Sequence, residues 1–203
     1  MSIIIEVGVN TGTDTPGFLA AYPDSTYYGF EPTLELYGNL VHRYLSEDRV
    51  NFFPIAISDK NGIATFNVAG QGDWGCSSLN SFNPDIHSLW TGRPDFKVSH
   101  RYKVPTMRMD TFIREYIETN GIAVDIDYMW IDAQGSDMDV LYSMGEYISK
   151  VKKGRFEVAM SVELYVGTNN SLKNAEEFLQ KNGYKYKVTP DDGAKECNIE
   201  FWR

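Results

Sequence analysis

Ile3-Ile4-Ile5-Glu6-Val7-Gly8-Val9-Asn10-Thr11-Gly12-Thr13, followed at a distance by Tyr27-Tyr28-Gly29-Phe30-Glu31-Pro32, decides the fold of this chain. Ile3 to Val7 is apolar on both faces apart from Glu6, the pattern of a strand in the middle of a parallel sheet with helices on either side. Gly8 and Gly12 let the backbone turn tightly and come close to a ligand where a side chain would collide. Thr13, Asp14 and Thr15 are placed to cap a following helix, and Pro16 suits its first turn. The N–H groups at that helix start are expected to face a carboxylate or a phosphate. The second apolar run ends on Glu31, nineteen positions after Gly12. That is near the offset of roughly 20 residues at which a carboxylate takes hydrogen bonds from ribose hydroxyls, so a ribose-bearing cofactor is expected.

Spacing separates the cofactors. A dinucleotide turn reads G-x-G-x-x-G, with the middle glycine making room for a pyrophosphate. Here the glycines are Gly8 and Gly12, and Asn10 stands at the middle place. S-adenosylmethionine has no phosphate and carries a sulfonium cation and an amino-acid tail. A turn lined by Glu6, Asn10, Thr11 and Thr13 suits it electrostatically. A nicotinamide-linked oxidoreductase on a related sheet is the alternative, and a purely structural glycine turn a second.

Four ordered blocks carry a family resemblance: Glu6 to Gly12, Gly29-Phe30-Glu31-Pro32, Ala56-Ile57-Ser58-Asp59 with Gly62 behind it, and Trp130-Ile131-Asp132-Ala133-Gln134-Gly135. Together they resemble the FkbM family of S-adenosylmethionine-dependent methyltransferases, over about residues 4 to 165. Two positions depart from it: the family usually has lysine before the Ile-Asp pair and glutamate before the following glycine, where this chain has Trp130 and Gln134, and Gln134 keeps a non-catalytic cofactor-binding protein open as a further alternative. The resemblance implies a Rossmann-like class I α/β fold, with a mostly parallel seven-stranded sheet finished by an antiparallel C-terminal hairpin strand. It implies methylation of an oxygen on a sugar or another small hydroxylated metabolite. Glu31 and Pro32 fall at the ribose. Ser58 and Asp59 fall beside adenine, although both equally serve to build a turn, and Ser77 and Ser78 match a family stretch near the cofactor.

Composition narrows the partners. A chain of 203 residues suits one α/β domain. The net charge of −9 opposes nonspecific attraction to a nucleic-acid backbone. Lys150, Lys152, Lys153 and Arg155 read as a solvated helix end. Cys76 and Cys197 fit no metal or redox spacing. No apolar run approaches a membrane span, and Met1 leads into a strand without a signal peptide, so a cytoplasmic location is expected. The sequence does not address oligomeric state.

Further along, Leu34 to Leu45 has helical spacing, with His42 on its wet side. Val50 to Ile57 reads as a third strand joined by Asp59-Lys60-Asn61-Gly62 to Ile63–Val68 as a hairpin. Between residues 70 and 103 periodicity fades, yet Trp74, Phe82, His87, Trp90, Phe96 and His100 sit there, which marks a candidate lid over the cofactor and acceptor. Strand candidates Val104–Met109, Tyr128–Ile131 and Phe156–Leu164 follow, with helices from Asp110, from Asp137 and over Leu172–Lys181. Tyr184–Val188 and Asn198–Trp202 close the sheet.

Ligands of an open parallel sheet lie beyond the carboxyl ends of its strands. That gathers Glu6, Gly8, Glu31, Asp59, Asp132 and Glu163 on one rim. Asp132 is the candidate for orienting the methionine moiety or the acceptor, with helix capping as its structural alternative. Glu163 is the candidate base or acceptor ligand, and His87 or His100 could serve instead. An Asp132–Glu163 pair holding magnesium or calcium through its oxygens is a weaker alternative.

Overall fold

The structure is a computed structural model that describes residues 2–70, 74–93, 96–191, 193 and 195–203. Its strands are β1 (Ile3–Val7), β2 (Thr26–Phe30), β3 (Val50–Phe53), β4 (Ala56–Ile57), β5 (Gly62–Ala69), β6 (Ser81–Phe82), β7 (Val98–Met107), β8 (Ile126–Ile131), β9 (Lys153–Ala159), β10 (Tyr165–Val166), β11 (Lys185–Asp191) and β12 (Glu196–Trp202). The helices are α1 (Thr15–Ala21), α2 (Leu34–Arg43), α3 (Ile86–Leu89), α4 (Met109–Phe112, continued by a π-helical turn to Glu118), α5 (Asp137–Ser143) and α6 (Leu172–Lys181).

Ile3, Ile5 and Val7 pack into the main core, against Met109, Ile113, Met138 and Leu141 from α4, its π-helical turn and α5. Ile4 faces the other way, into a smaller core with Tyr27, Leu40 and Phe52. Such two-sided burial is why the strand carries isoleucine on both faces. The seven-stranded sheet has the order β11-β12-β9-β8-β1-β2-β3. β3, β2, β1, β8 and β9 are parallel neighbours, and β12 enters antiparallel between β9 and β11. This is the expected methyltransferase sheet with its closing hairpin.

Several expectations change. Val50–Ile57 is broken at Pro54, which has no N–H to donate to a ladder. Beyond the break, β4 and β5 do not pair with each other: β7 lies between them, parallel to β4 and antiparallel to β5. The Asn61-Gly62 turn is therefore no hairpin, because a ten-residue β7 offers β5 a longer antiparallel partner than two-residue β4 can. Residues 70–103 are also more ordered than their composition suggests, apart from 71–73 and 94–95, which lie outside the described residues. Ile86, Trp90 and Phe96 form a second core with Leu164 and Tyr165 from the segment after β9. Finally, β9 ends at Ala159 rather than reaching Glu163.

Lys153 and Arg155 lie on β9, not at a helix end. Arg155 stacks 4.7 Å over Trp130, and Lys153 sits 5.3 Å over Tyr22. Here β8 shows aromatics rather than aliphatics, and Phe18 of α1 and Tyr22 just after it reach over them. Lys152 pairs instead with Asp125 and Asp127. Among the described residues, no helix is long and apolar enough to cross a membrane.

Candidate functional site

The turn after β1 is pinned from three sides. The Gly8 and Val9 amides donate to the Phe30 carbonyl at 3.0 and 3.2 Å, and the Asp132 amide donates to the Val7 carbonyl at 2.8 Å. Gly8 has φ +85°, and a Cβ there would lie 1.9 Å from the Asp132 carbonyl oxygen. Only glycine lets the ends of β1 and β8 come this close. Asn10 follows with φ +52°, and its amide donates to Glu31 Oε2 at 2.7 Å. Thr33 N–H donates to Glu31 Oε1, also at 2.7 Å. Glu31 therefore holds the glycine turn and its own strand end together. Burial pushes its pKa up, while its bonds with Thr33 and Asn10 pull the other way. Tyr102 from β7 donates to the Pro32 carbonyl at 3.2 Å and closes this corner.

Between these strand ends lies a cleft of about 570 Å³ when its open mouth is counted. Gly8, Asn10, Glu31, Pro32 and Asp132 line it. The insertion contributes Trp74, Gly75, Ser77 and Leu79 to the wall. An apolar side is built by Phe30, Ile55, Ala56, Ile57 and Phe66. Sequence reading missed most of these, because apolar wall residues look like any other core residue.

Other predicted residues stand elsewhere. Glu6 is buried under the turn and accepts from Tyr27 Oη and from Thr15 Oγ1, the latter at 3.2 Å. Burial pushes its pKa up to about 8. Thr11 and Thr13 are exposed and bond to each other at 3.0 Å, while a Cβ on Gly12 would meet Leu40 at 2.5 Å. Those positions shape the turn from outside. Asp14 caps α1 without a side-chain bond, and at seven residues that helix offers no ligand site of its own. Ser58 donates to Asp59 at 3.2 Å and Asp59 pairs with Lys60, so both build the turn while their neighbour Ile57 lines the cleft. Glu163 is exposed and lines an adjoining hollow that meets the cleft at Gln134.

The far wall is a hydrogen-bonded unit that single residues could not announce. Gln134 Nε2 donates to Asp132 Oδ1 at 2.6 Å, and Gln134 Oε1 accepts from Tyr165 Oη at 2.8 Å. Ser78 stands behind the cleft and donates to the Gln134 carbonyl at 2.6 Å. Asp132 is raised above its usual pKa by burial, with the Gln134 amide opposing the shift. Among the described residues, no group of three or more His, Cys, Asp or Glu side chains is arranged to hold a metal ion.

A family model described as the methyltransferase FkbM domain matches residues 6–186. The chain belongs to the FkbM methyltransferase family. This FkbM chain is also 30% identical over 155 residues to the 2-O-methyltransferase NoeI of Sinorhizobium fredii, covering 74% of its own length. It spans about three-fifths, 60%, of that curated relative. Among solved structures it is similar to fibrillarin of Aeropyrum pernix with bound S-adenosyl-L-methionine (TM-score 0.52, 12% identity, 98% of this chain and 66% of the other). A second likeness is to the METTL16 methyltransferase domain (TM-score 0.50, 10% identity, 99% and 59%). At such identities the two structures speak for the fold alone, which is the class I methyltransferase fold expected above. For this FkbM chain the nicotinamide alternative has no support.

Proposed function

We propose that the chain is an S-adenosylmethionine-dependent methyltransferase acting on a hydroxyl oxygen of a sugar or similar small hydroxylated metabolite. The carrying observation is the cleft that joins Gly8, Asn10 and Glu31 to Asp132, with two carboxylates and an apolar wall but no phosphate-sized glycine gap at Asn10. When bound, the cofactor supplies a methyl group on a sulfonium. Glu31 has two oxygens, each taking one backbone N–H, and a carboxylate has room for further donors, so ribose hydroxyls can be held there. Ile57, Ile55 and Phe30 offer the base a flat apolar seat. Asp132 holds the cationic end of the ligand or the acceptor hydroxyl, and Trp74 and Leu79 exclude water as parts of a lid. Glu163, across Gln134 in the adjoining hollow, holds the acceptor. The oxygen preference is supported by the 2-O-methyltransferase relative.

Titration with S-adenosylmethionine or its demethylated product, S-adenosylhomocysteine, is expected to raise the melting temperature. Stabilisation should approach about 2.7 kcal/mol at 100 times the Kd, and NAD should give none. Stabilisation by NAD alone would overturn the proposal. Glu31→Ala is expected to weaken S-adenosylhomocysteine binding by about 1–3 kcal/mol, roughly 5- to 150-fold, because ribose donors lose a charged acceptor. Calorimetry on the folded variant decides this, and unchanged affinity removes Glu31 from the site.

A further inference from the structure

We propose that Gln134 is the positioning residue for Asp132, its side-chain amide holding one carboxylate oxygen so that the other is presented to the cleft. This role rests on the reading of the cleft as a cofactor site. Among the described residues the Asp132 carboxylate takes one side-chain hydrogen bond, at Oδ1, and it comes from Gln134. Gln134 reaches that position with φ +50°, a left-handed conformation unfavourable for a non-glycine residue that persists where surroundings over-determine it.

Several contacts do so here. Ser78 holds its carbonyl, and the Tyr165 hydroxyl meets its side-chain oxygen. Tyr165 is itself buried, stacked on Phe82 at 5.3 Å, and packed so closely on the next residue that a Cβ on Gly135 would lie 2.7 Å from its ring. The phenol has one proton for two acceptors, Gln134 Oε1 and the Cys76 carbonyl, both at 2.8 Å. An ionised Asp132 accepts only, so it keeps the amide nitrogen on its own side and leaves the amide oxygen to Tyr165. Carboxylate, amide and phenol thus form one chain from the cleft to the second core.

Other charges face Asp132. Glu6 lies on β1, Asp14 precedes α1 and Glu31 follows β2. Asp137 heads α5, Glu157 and Arg155 come from β9, and Tyr165 from beyond it. Among these groups Tyr165 is the one bonded to Gln134, so the Tyr165→Phe comparison separates the phenol contact from the amide.

The test is the pH dependence of S-adenosylmethionine binding, measured by calorimetry from pH 4 to 9 on the wild-type protein, Gln134→Glu, Gln134→Met and Tyr165→Phe. Affinity is expected to fall on acidification through the Asp132 titration, and Asp132→Asn should flatten that fall. Gln134→Met loses the donor, and the midpoint should move up by about one pH unit. Gln134→Glu places a second carboxylate against Asp132, so the two share a proton. Its midpoint should move further, with affinity at pH 6 down at least about tenfold. Tyr165→Phe should shift it the same way by less. A merely structural role would lower melting temperature and affinity alike at every pH and leave the midpoint in place, and that result overturns the proposal. Absence of binding by the wild-type protein is a different outcome, which overturns the cofactor reading and this role with it.

Discussion

Gly8→Ala is expected to lower stability by about 4 kcal/mol or more and to abolish stabilisation by S-adenosylhomocysteine. The new Cβ would stand 1.9 Å from the Asp132 carbonyl oxygen and 2.8 Å from its carbonyl carbon. Both are backbone atoms of a strand end, held in place by the Asp132 N–H bond to Val7, so no rotamer change can relieve the collision. The left-handed φ of +85° adds a further 1–2 kcal/mol. Gly12→Ala is the control. Its Cβ meets the Leu40 methyl at 2.5 Å, the far end of a side chain that can move, and its φ is +72°. About 1–2 kcal/mol is expected there, with ligand binding retained. In a domain of this size 1 kcal/mol moves the melting temperature by roughly 2–4 °C, so thermal melts separate the two variants. Equal melting temperatures for Gly8→Ala and wild type would show that β1 and β8 are not packed as described.

Glu6→Gln is expected to stabilise the protein at alkaline pH and not at acid pH. Glu6 is 1% exposed, and burial, the dominant cause, pushes its pKa up from 4.5 to about 8. The folded protein therefore keeps a proton that the unfolded chain releases above about pH 4.5. Folded protein binds more protons than unfolded across that window, so stability falls as pH rises from about 4.5 to about 8 and stays low beyond. The shift corresponds to on the order of 4–5 kcal/mol at pH 9. Glutamine keeps a carbonyl for Tyr27 and Thr15, removes the charge, and brings two N–H where the protonated carboxyl has one O–H, an extra buried donor that costs about 1–2 kcal/mol. A net gain of about 3 kcal/mol at pH 9 and a loss of about 1–2 kcal/mol at pH 4 are expected, read from urea midpoints at the two pH values. The same difference at both would mean that Glu6 is not the titrating group. Glu157, pushed to about 8 by burial and then by Glu196, leaves a residual slope in the same direction in the variant.

Much of the chain is decided locally. The β-branched run before Gly8, the helical spacing of Leu172–Lys181 and the Asn182-Gly183 stop each specify their element through nearest-neighbour physics, and each element is found where its residues call for it. The glycine turn and the carboxylate at the end of β2 are legible for the same reason, since strand length and helix length fix how far apart they fall.

What the tertiary structure decided is where identical chemistry ends up. Glu6 and Glu31 are both carboxylates at the ends of neighbouring parallel strands, yet one is sealed beneath the turn and the other opens onto the cleft. Strand periodicity assigns a face, but what covers that face is set by α1 and Tyr27, which come from elsewhere in the chain. β5 took β7 over the nearby β4 because the longer ladder has more hydrogen bonds to offer, a comparison no local window contains. The Asp132–Gln134–Tyr165 chain joins residues thirty-odd positions apart only because the segment after β9 folds back onto the insertion. Sequence determined the strands, the turn and the family they belong to, because those follow from short-range sterics and hydrophobic period. Packing between distant segments determined which polar atoms meet, because burial and hydrogen-bond partners are properties of the assembled chain.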